Sequence, residues 1–326
     1  MNALRLPLGM RDLYAHEVSL REDVAAAIRS SVREAGYTPV TTPAFEYEDV
    51  VARGLGMLDL RELVRFVEPT TGRICVVRPD ITAQIARLVA TRLKGEPTPL
   101  RLCYEGSVVR VPRDRSRPRR QLAQAGVELV GVGAPAGDAE VIALAARAVA
   151  RAGLGSFLVE LADGSLAAAA LAEIDPSAHE SIRERLAEKD RDGLDRALGA
   201  ARAPAKARRV LEALPDLWGD ASVLARARRT LRTEAARAAL AGLEAVAAAL
   251  DRTDLRASIA FDLGEVRGWG YYTGVRFSIL AEGPGVAVAS GGRYDTLLGR
   301  YGRDERATGF AIDMESLELA RDRKGA

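Results

Sequence analysis

Apolar residues recur every fourth position early in the chain, where Leu20, Val24, Ile28 and Val32 fall on one helical stripe and Gly36 supplies a stop. The spacing predicts a helix over His16–Ala35 with one buried face. Tyr37 to Thr42 then reads as an extended segment closed by Pro43, at a sheet edge because Pro39 has no N–H to donate. Strands are expected over Arg73–Val77, Leu100–Val109, Phe157–Leu161 and Ser258–Leu263, and helices from the Arg78-Pro79-Asp80-Ile81-Thr82 run to about Leu93 and over Asp138–Ala152. Alternation is cleanest in Leu122–Val130. Ala123, Ala125, Val127 and Leu129 make one apolar face there, while Gln124, Gly126 and Glu128 share the other, which reads as the floor of a pocket.

From about Leu166 to Asp254 the pattern changes to alanine-rich helices split by Pro176, Pro204 and Pro215, with no strand of useful length. This is a helical insertion. The sheet pattern returns in Ala260–Leu319, which holds Arg267-Gly268-Trp269-Gly270-Tyr271-Tyr272-Thr273-Gly274. Its three glycines thin the backbone around one arginine and two tyrosines, and on a strand Tyr271 and Tyr272 face opposite sides. Val275–Ile279 and Val286–Ala289 form an expected hairpin around Glu282-Gly283-Pro284-Gly285. Ser290-Gly291-Gly292-Arg293-Tyr294-Asp295 reads as a glycine turn into a short helix. Gly309–Ile312 is a last strand or turn before a helix over Asp313–Ala320. The order predicts an α+β fold with a core in residues 1–165 and 256–326 and an insertion in 166–255.

Composition narrows the chemistry. With 326 residues and 48% apolar content the chain can bury a sizeable core, and neither a signal peptide nor a membrane span is expected, so a cytoplasmic protein is inferred. Cys75 and Cys103 sit in apolar runs and read as buried thiols; with only His16 and His179 besides, no metal site is expected. A net charge of +2 does not mark a nucleic-acid binder. The loop carrying Arg113, Arg115, Arg117, Arg119 and Arg120 suits an anion or is a solvated basic loop. Lys206, Arg208, Arg209, Arg226, Arg228 and Arg229 are interleaved with acids, which favours a solvated helix face over an RNA contact. Asp80 reads equally as a helix cap or a ligand group, and Glu128, on a semi-buried face, needs solvent or a donor.

Arg267-Gly268 followed by Tyr271-Tyr272, then Gly291-Gly292-Arg293-Tyr294-Asp295, then Gly309-Phe310-Ala311 resemble, in that order, the end of the histidyl-tRNA synthetase catalytic domain. The resemblance implies a class II aminoacyl-tRNA synthetase-like antiparallel sheet flanked by helices. It makes the N-terminal helix and strand similar to the motif that forms that family's dimer interface. Asp80 and Thr82 match the acid and threonine that hold the substrate ammonium, with aspartate one methylene shorter than the family's glutamate and Ile81 replacing its glycine. Glu128 with Tyr272 matches the imidazole-reading positions, Arg267 faces the carboxylate, and Gln124, Arg110 and Tyr271 complete the wall.

The ATP positions depart from the family. Pro112 replaces a glutamate that contacts adenine, Ser316 replaces the arginine on the γ-phosphate, and Gly270 replaces an aspartate. Losing a phosphate-binding arginine removes a charge-assisted contact worth about 1.5–3 kcal/mol, so adenylation is expected to be badly impaired. The sequence ends at Ala326, shortly after the third motif, from which the family's anticodon-binding module is expected to be missing. Retained amino-acid positions with lost ATP positions resemble the regulatory subunits of ATP phosphoribosyltransferase. That family implies no catalytic residue and no cofactor of its own, a short-form catalytic subunit as partner, and L-histidine as the feedback effector of the first step of histidine biosynthesis. Two rivals stand beside it. One is a minimal histidyl-tRNA synthetase-like enzyme or amino-acid:carrier ligase that activates an amino acid with ATP; the other is an RNA-binding module using the Arg113–Arg120 loop.

Overall fold

The computed structural model describes residues 4–55, 62–111, 119–266 and 271–322. Arg267, Gly270, Pro112, Arg113, Arg115 and Arg117 lie outside the described residues. The chain opens with α1 (His16–Glu34), β1 (Thr38–Pro39), β2 (Phe45–Tyr47), α2 (Glu48–Leu55), β3 (Arg65–Val67) and β4 (Ile74–Val77). There follow α3 (Thr82–Ala90), β5 (Leu100–Val109), β6 (Gln121–Val130), α4 (Ala136–Arg151) and β7 (Leu158–Asp163). A helical stretch comes next: α5 (Ser165–Leu171), α6 (His179–Ala187), α7 (Arg191–Ala200), α8 (Ala205–Ala213), β8 (Trp218–Gly219), α9 (Ser222–Thr230) and α10 (Glu234–Leu250). The chain closes with β9 (Ser258–Asp262), β10 (Val275–Leu280), β11 (Ala289–Arg293), β12 (Ala307–Asp313) and α11 (Met314–Asp322).

Among the described residues the main sheet has nine strands in the order β1-β5-β6-β12-β11-β10-β7-β9-β8, antiparallel except for the β1/β5 and β7/β9 pairs. A smaller sheet runs β2-β4-β3. Strand β1 occupies the edge that Pro39 permits. Strand β8, two residues within the otherwise helical stretch, extends the opposite edge by pairing with β9.

Helix α1 forms and stops as its pattern dictates. Val24, Ile28 and Val32 are buried and Leu20, in the first turns, is half-buried; Gly36, at φ 82°, lets the Tyr37 N–H reach Val32 O while its own N–H reaches Arg33 O. The buried stripe packs on α4 and α11, each large side chain contributing about 1.5–3 kcal/mol of burial. Alternation sorts β6 likewise: Ala125, Val127 and Leu129 join the core beneath the helices, while Leu122 and Val130 join a second core with α3. Between those two ends, Gln124 and Glu128 line the cavity described below.

Two local expectations are corrected. Ser290–Arg293 is not a glycine turn but strand β11, and the hairpin's second strand starts at Ala289 rather than Val286. The glycines are there because neighbours close in: a Cβ on Gly291 would collide with Gly309 O and the Phe277 ring, and one on Gly292 with Val275 O. Tyr271 and Tyr272 do not face opposite sides of a strand. They lie in the turn before β10, where strand alternation does not apply, and their rings pack together 4.8 Å apart.

The Arg293 guanidinium, at the end of β11, is buried against the Asp138 carboxylate of α4 at 2.8 Å and also reaches Asp295 at 2.8 Å. Asp295 N–H donates to Thr273 Oγ1 at 2.9 Å, and Thr273 N–H donates to Arg293 O at 2.8 Å. The motif therefore ties the tyrosine turn to the sheet. Burial raises the Asp138 carboxyl above its usual range, and its pair with Arg293 opposes that rise.

Candidate functional site

A cavity of about 520 Å³ opens on the sheet face formed by β6, β10, β11 and β12. Asp80, Thr82, Arg110, Gln124, Glu128, Tyr271 and Tyr272 all line it, although they come from four separate stretches of chain. Arg267, the eighth expected residue, lies outside the described residues. Tyr294, Glu160, Glu265, Arg276 and Asp313 also line the wall and were not foreseen there.

Glu128 is the buried centre of the floor, 1% exposed. It fits because its partner across the β6/β12 ladder is Gly309, where any Cβ would occupy the space of its carboxylate. Gly126, two residues earlier, clears room in the same way for the Tyr104 ring. Thr82 Oγ1 donates to Glu128 Oε1 at 2.7 Å, and Tyr294 OH donates to Glu128 Oε2. Both donors are neutral, so among the described residues the carboxylate is hydrogen-bonded without being charge-balanced. Burial pushes its pKa well up, the nearby Asp80 adds to the rise, and the Thr82 hydroxyl opposes it.

Asp80 holds a dual position at the start of α3. Its Oδ1 accepts the Ala83 N–H at 3.3 Å, as a cap does, while Oδ2 lies 3.7 Å from Arg110 Nη2. Burial raises this carboxyl too, against the pull of Arg110. Arg110 is itself anchored by donation from Nε to Pro79 O at 2.6 Å. Thr82, matched by the resemblance to the ammonium group, donates its hydroxyl to Glu128, and the second donor to Glu128 is Tyr294, which was not foreseen in the site. Tyr294 could have been suspected from its place after the glycine-glycine-arginine run. Its distance of 166 positions from Glu128 gave no local signal.

Charge along the wall is lopsided. Asp80, Glu128, Glu160, Glu265 and Asp313 face only Arg110 and Arg276 among the described lining residues. Among the described residues, Gln124 Oε1 and Arg276 Nε are buried without a hydrogen-bond partner. A ligand carrying a cation and hydrogen-bonding groups of both kinds would satisfy this wall.

The helix after β12 is arranged differently. Glu315, buried in the first turn of α11, receives Arg119 at 2.6 Å and both Arg11 and Arg21 at 3.4 Å. Arg21 also pairs with Glu318. Ser316, at the third-motif position, is buried and donates its backbone N–H to Asp313 Oδ1 at 3.0 Å. It offers a hydroxyl where the resembled synthetases have a guanidinium.

Residues 9–317 match the family model described as histidyl-tRNA synthetase. A protein from Anaeromyxobacter sp. (strain Fw109-5) named ATP phosphoribosyltransferase regulatory subunit is 43% identical over 98% of this chain and 94% of its own. The chain belongs to the histidyl-tRNA synthetase-like family of ATP phosphoribosyltransferase regulatory subunits. A second relative of that name, from Syntrophotalea carbinolica, is 37% identical over 98% of this chain and 75% of its own. A crystal structure from Bacillus halodurans C, described as an ATP phosphoribosyltransferase regulatory subunit/histidyl-tRNA synthetase, superposes with a TM-score of 0.87 at 31% identity, covering 99% of this chain and 84% of that one. The regulatory-subunit family thus has the class II synthetase-like α+β fold expected from the motifs, here a mixed, largely antiparallel sheet flanked by helices.

Proposed function

We propose that this chain is the non-catalytic regulatory subunit of an ATP phosphoribosyltransferase, a glycosyltransferase complex in which a short-form catalytic subunit does the chemistry, and that its cavity senses L-histidine. The observation that carries the reading is the floor of the cavity, a buried carboxylate held by neutral donors inside a wall whose described residues include more acids than bases. In this role Glu128 accepts the imidazole N–H. Asp80 takes the ammonium, Arg267 the carboxylate, and Gln124, Arg110, Tyr271 and Tyr272 enclose the ligand. The subunit acts in the cytoplasm, and among the described residues no helix is long and apolar enough to cross a membrane. Copies associate through α1 and the edge strand β1.

Histidine bound at micromolar to submillimolar strength corresponds to about −5 to −8 kcal/mol, and feedback requires a coupling to the partner of about 1–3 kcal/mol. The test is phosphoribosyl-ATP formation by the short catalytic subunit with and without this chain, then with histidine added. Stimulation that histidine reverses is the expected result. A rate unchanged by the chain, with or without histidine, overturns the reading.

The synthetase description of the matching family model favours one second reading, an enzyme that activates an amino acid with ATP. Ser316 and the arginines engaged by Glu315 weigh against it, since few cations remain at the third motif for a triphosphate. Histidine-dependent exchange of pyrophosphate into ATP would revive it.

A further inference from the structure

The basic clusters of the helical stretch separate into two groups once folded. Arg208 pairs with Glu212 at 2.6 Å, Arg228 pairs with Glu244, and Arg226 donates to Trp218 O at 3.1 Å. Arg228 thus joins α9 to α10, Arg226 ties α9 to β8, and Arg208 reaches both Glu212 of its own helix and Asp195 of α7. Lys206, Arg209, Arg229 and Arg232 instead converge on an open cleft of about 910 Å³ between α8, the end of α9 and the start of α10. Arg209 and Arg229 have no ion-pair partner among the described residues, and Lys206 reaches Glu173 only at 3.7 Å. Arg232 donates Nε to the Arg229 main-chain carbonyl at 3.1 Å, which holds the Arg232 guanidinium at the end of α9.

Four cations face one acid here, Glu234. Like charges gathered in excess of the carboxylates near them repel, and the repulsion is relieved by an anion. Helix α8 adds to the field, since its N-terminus enters the cleft at Ala205 and Lys206 and no side chain caps it, leaving its first N–H groups to a ligand. The spread of the cations over three elements matches several linked anionic centres better than a single carboxylate.

We propose that this cleft binds an oligophosphate group. The inference is independent of histidine sensing, because the cleft lies on different elements from the sheet cavity and shares no lining residue with it. A free nucleoside triphosphate and a nucleic-acid backbone both present this chemistry, and the probes separate them.

The experiment is calorimetric titration of the full chain with sodium tripolyphosphate, ATP and a 12-nucleotide RNA, each at low and at physiological salt. Saturable tripolyphosphate or ATP binding that weakens about 100-fold in the Arg209→Ala/Arg229→Ala double variant is expected, each lost charge-assisted pair accounting for about tenfold. Arg228→Ala, which removes an arginine of the same helix that faces Glu244, should change affinity less than about threefold. Glu234→Gln should tighten binding severalfold, and this gain does not depend on the double variant folding. RNA binding without tripolyphosphate or ATP binding, or tripolyphosphate binding indifferent to both the double variant and Glu234→Gln, would overturn the proposal.

Discussion

Two buried glutamates near β12 show opposite ways of handling a charge. Glu128, across the ladder from Gly309, is held by Thr82 and Tyr294, which donate hydrogen bonds but bring no positive charge. Glu315, at the start of α11, is surrounded by Arg11, Arg21 and Arg119. The first carboxylate is left to be balanced by a ligand; the second is already balanced by the protein. Where a buried charge is satisfied within the chain, the site becomes scaffold, and the arginines spent on Glu315 are not free for a phosphate. On the proposed reading, the cavity side built around Glu128 is the one that takes the ligand, while Glu315 and its arginines near the third motif serve the scaffold.

The largest effect should come from removing the unbalanced charge. Glu128→Ala is expected to weaken histidine binding on the order of 100-fold, measured by calorimetry, because the ligand loses a charged acceptor and faces a void. An affinity within twofold of the parent would break the comparison at its first term. Glu315→Gln should lower stability by about 2 kcal/mol in chemical unfolding, a figure reduced for the partial exposure of Arg11 and Arg119, and leave histidine affinity within about threefold. A large loss of affinity there would mean that the two regions are not separate.

Tyr294→Phe tests whether the neutral donors matter. It strips one hydrogen bond from Glu128 and should weaken histidine binding about fivefold, near the 1 kcal/mol of a single such bond. The smallest effect is a slope. Burial raises the Glu128 pKa in the fold, so the folded chain holds this proton to higher pH than the unfolded chain does. Stability of the ligand-free protein accordingly falls as pH rises from the ordinary glutamate value of 4.5 through the raised one, and Glu128→Gln should flatten that fall. An unchanged slope in unfolding curves across this range would remove Glu128 as its source.

Much of the scaffold was legible because its signals are local. The fourfold stripe of α1, its Gly36 stop, and the two faces of β6 depend on residues a few positions apart, and each forms as its pattern requires. The β11 glycines misled for a physical reason: glycine marks turns by its freedom, but Gly291 and Gly292 are needed for the close approach of β10 and β12. Tyr271 and Tyr272 were assigned strand alternation that their turn does not impose. Motif positions brought Asp80, Thr82, Arg110, Gln124, Glu128, Tyr271 and Tyr272 to notice, and all seven line one cavity. The pairing of Tyr294 with Glu128, and of Arg11, Arg21 and Arg119 with Glu315, joins segments far apart in sequence, and no spacing rule reaches that far.

The central claim is that the unbalanced carboxylate carries the histidine signal while other surfaces carry the partner. It is tested most directly by assaying phosphoribosyl-ATP formation with the short catalytic subunit and the Glu128→Ala chain, with increasing histidine. The account predicts that the variant still supports the catalytic subunit and that histidine no longer inhibits the complex at concentrations that silence the parent. Inhibition of the variant complex at the parent's histidine concentration would contradict it.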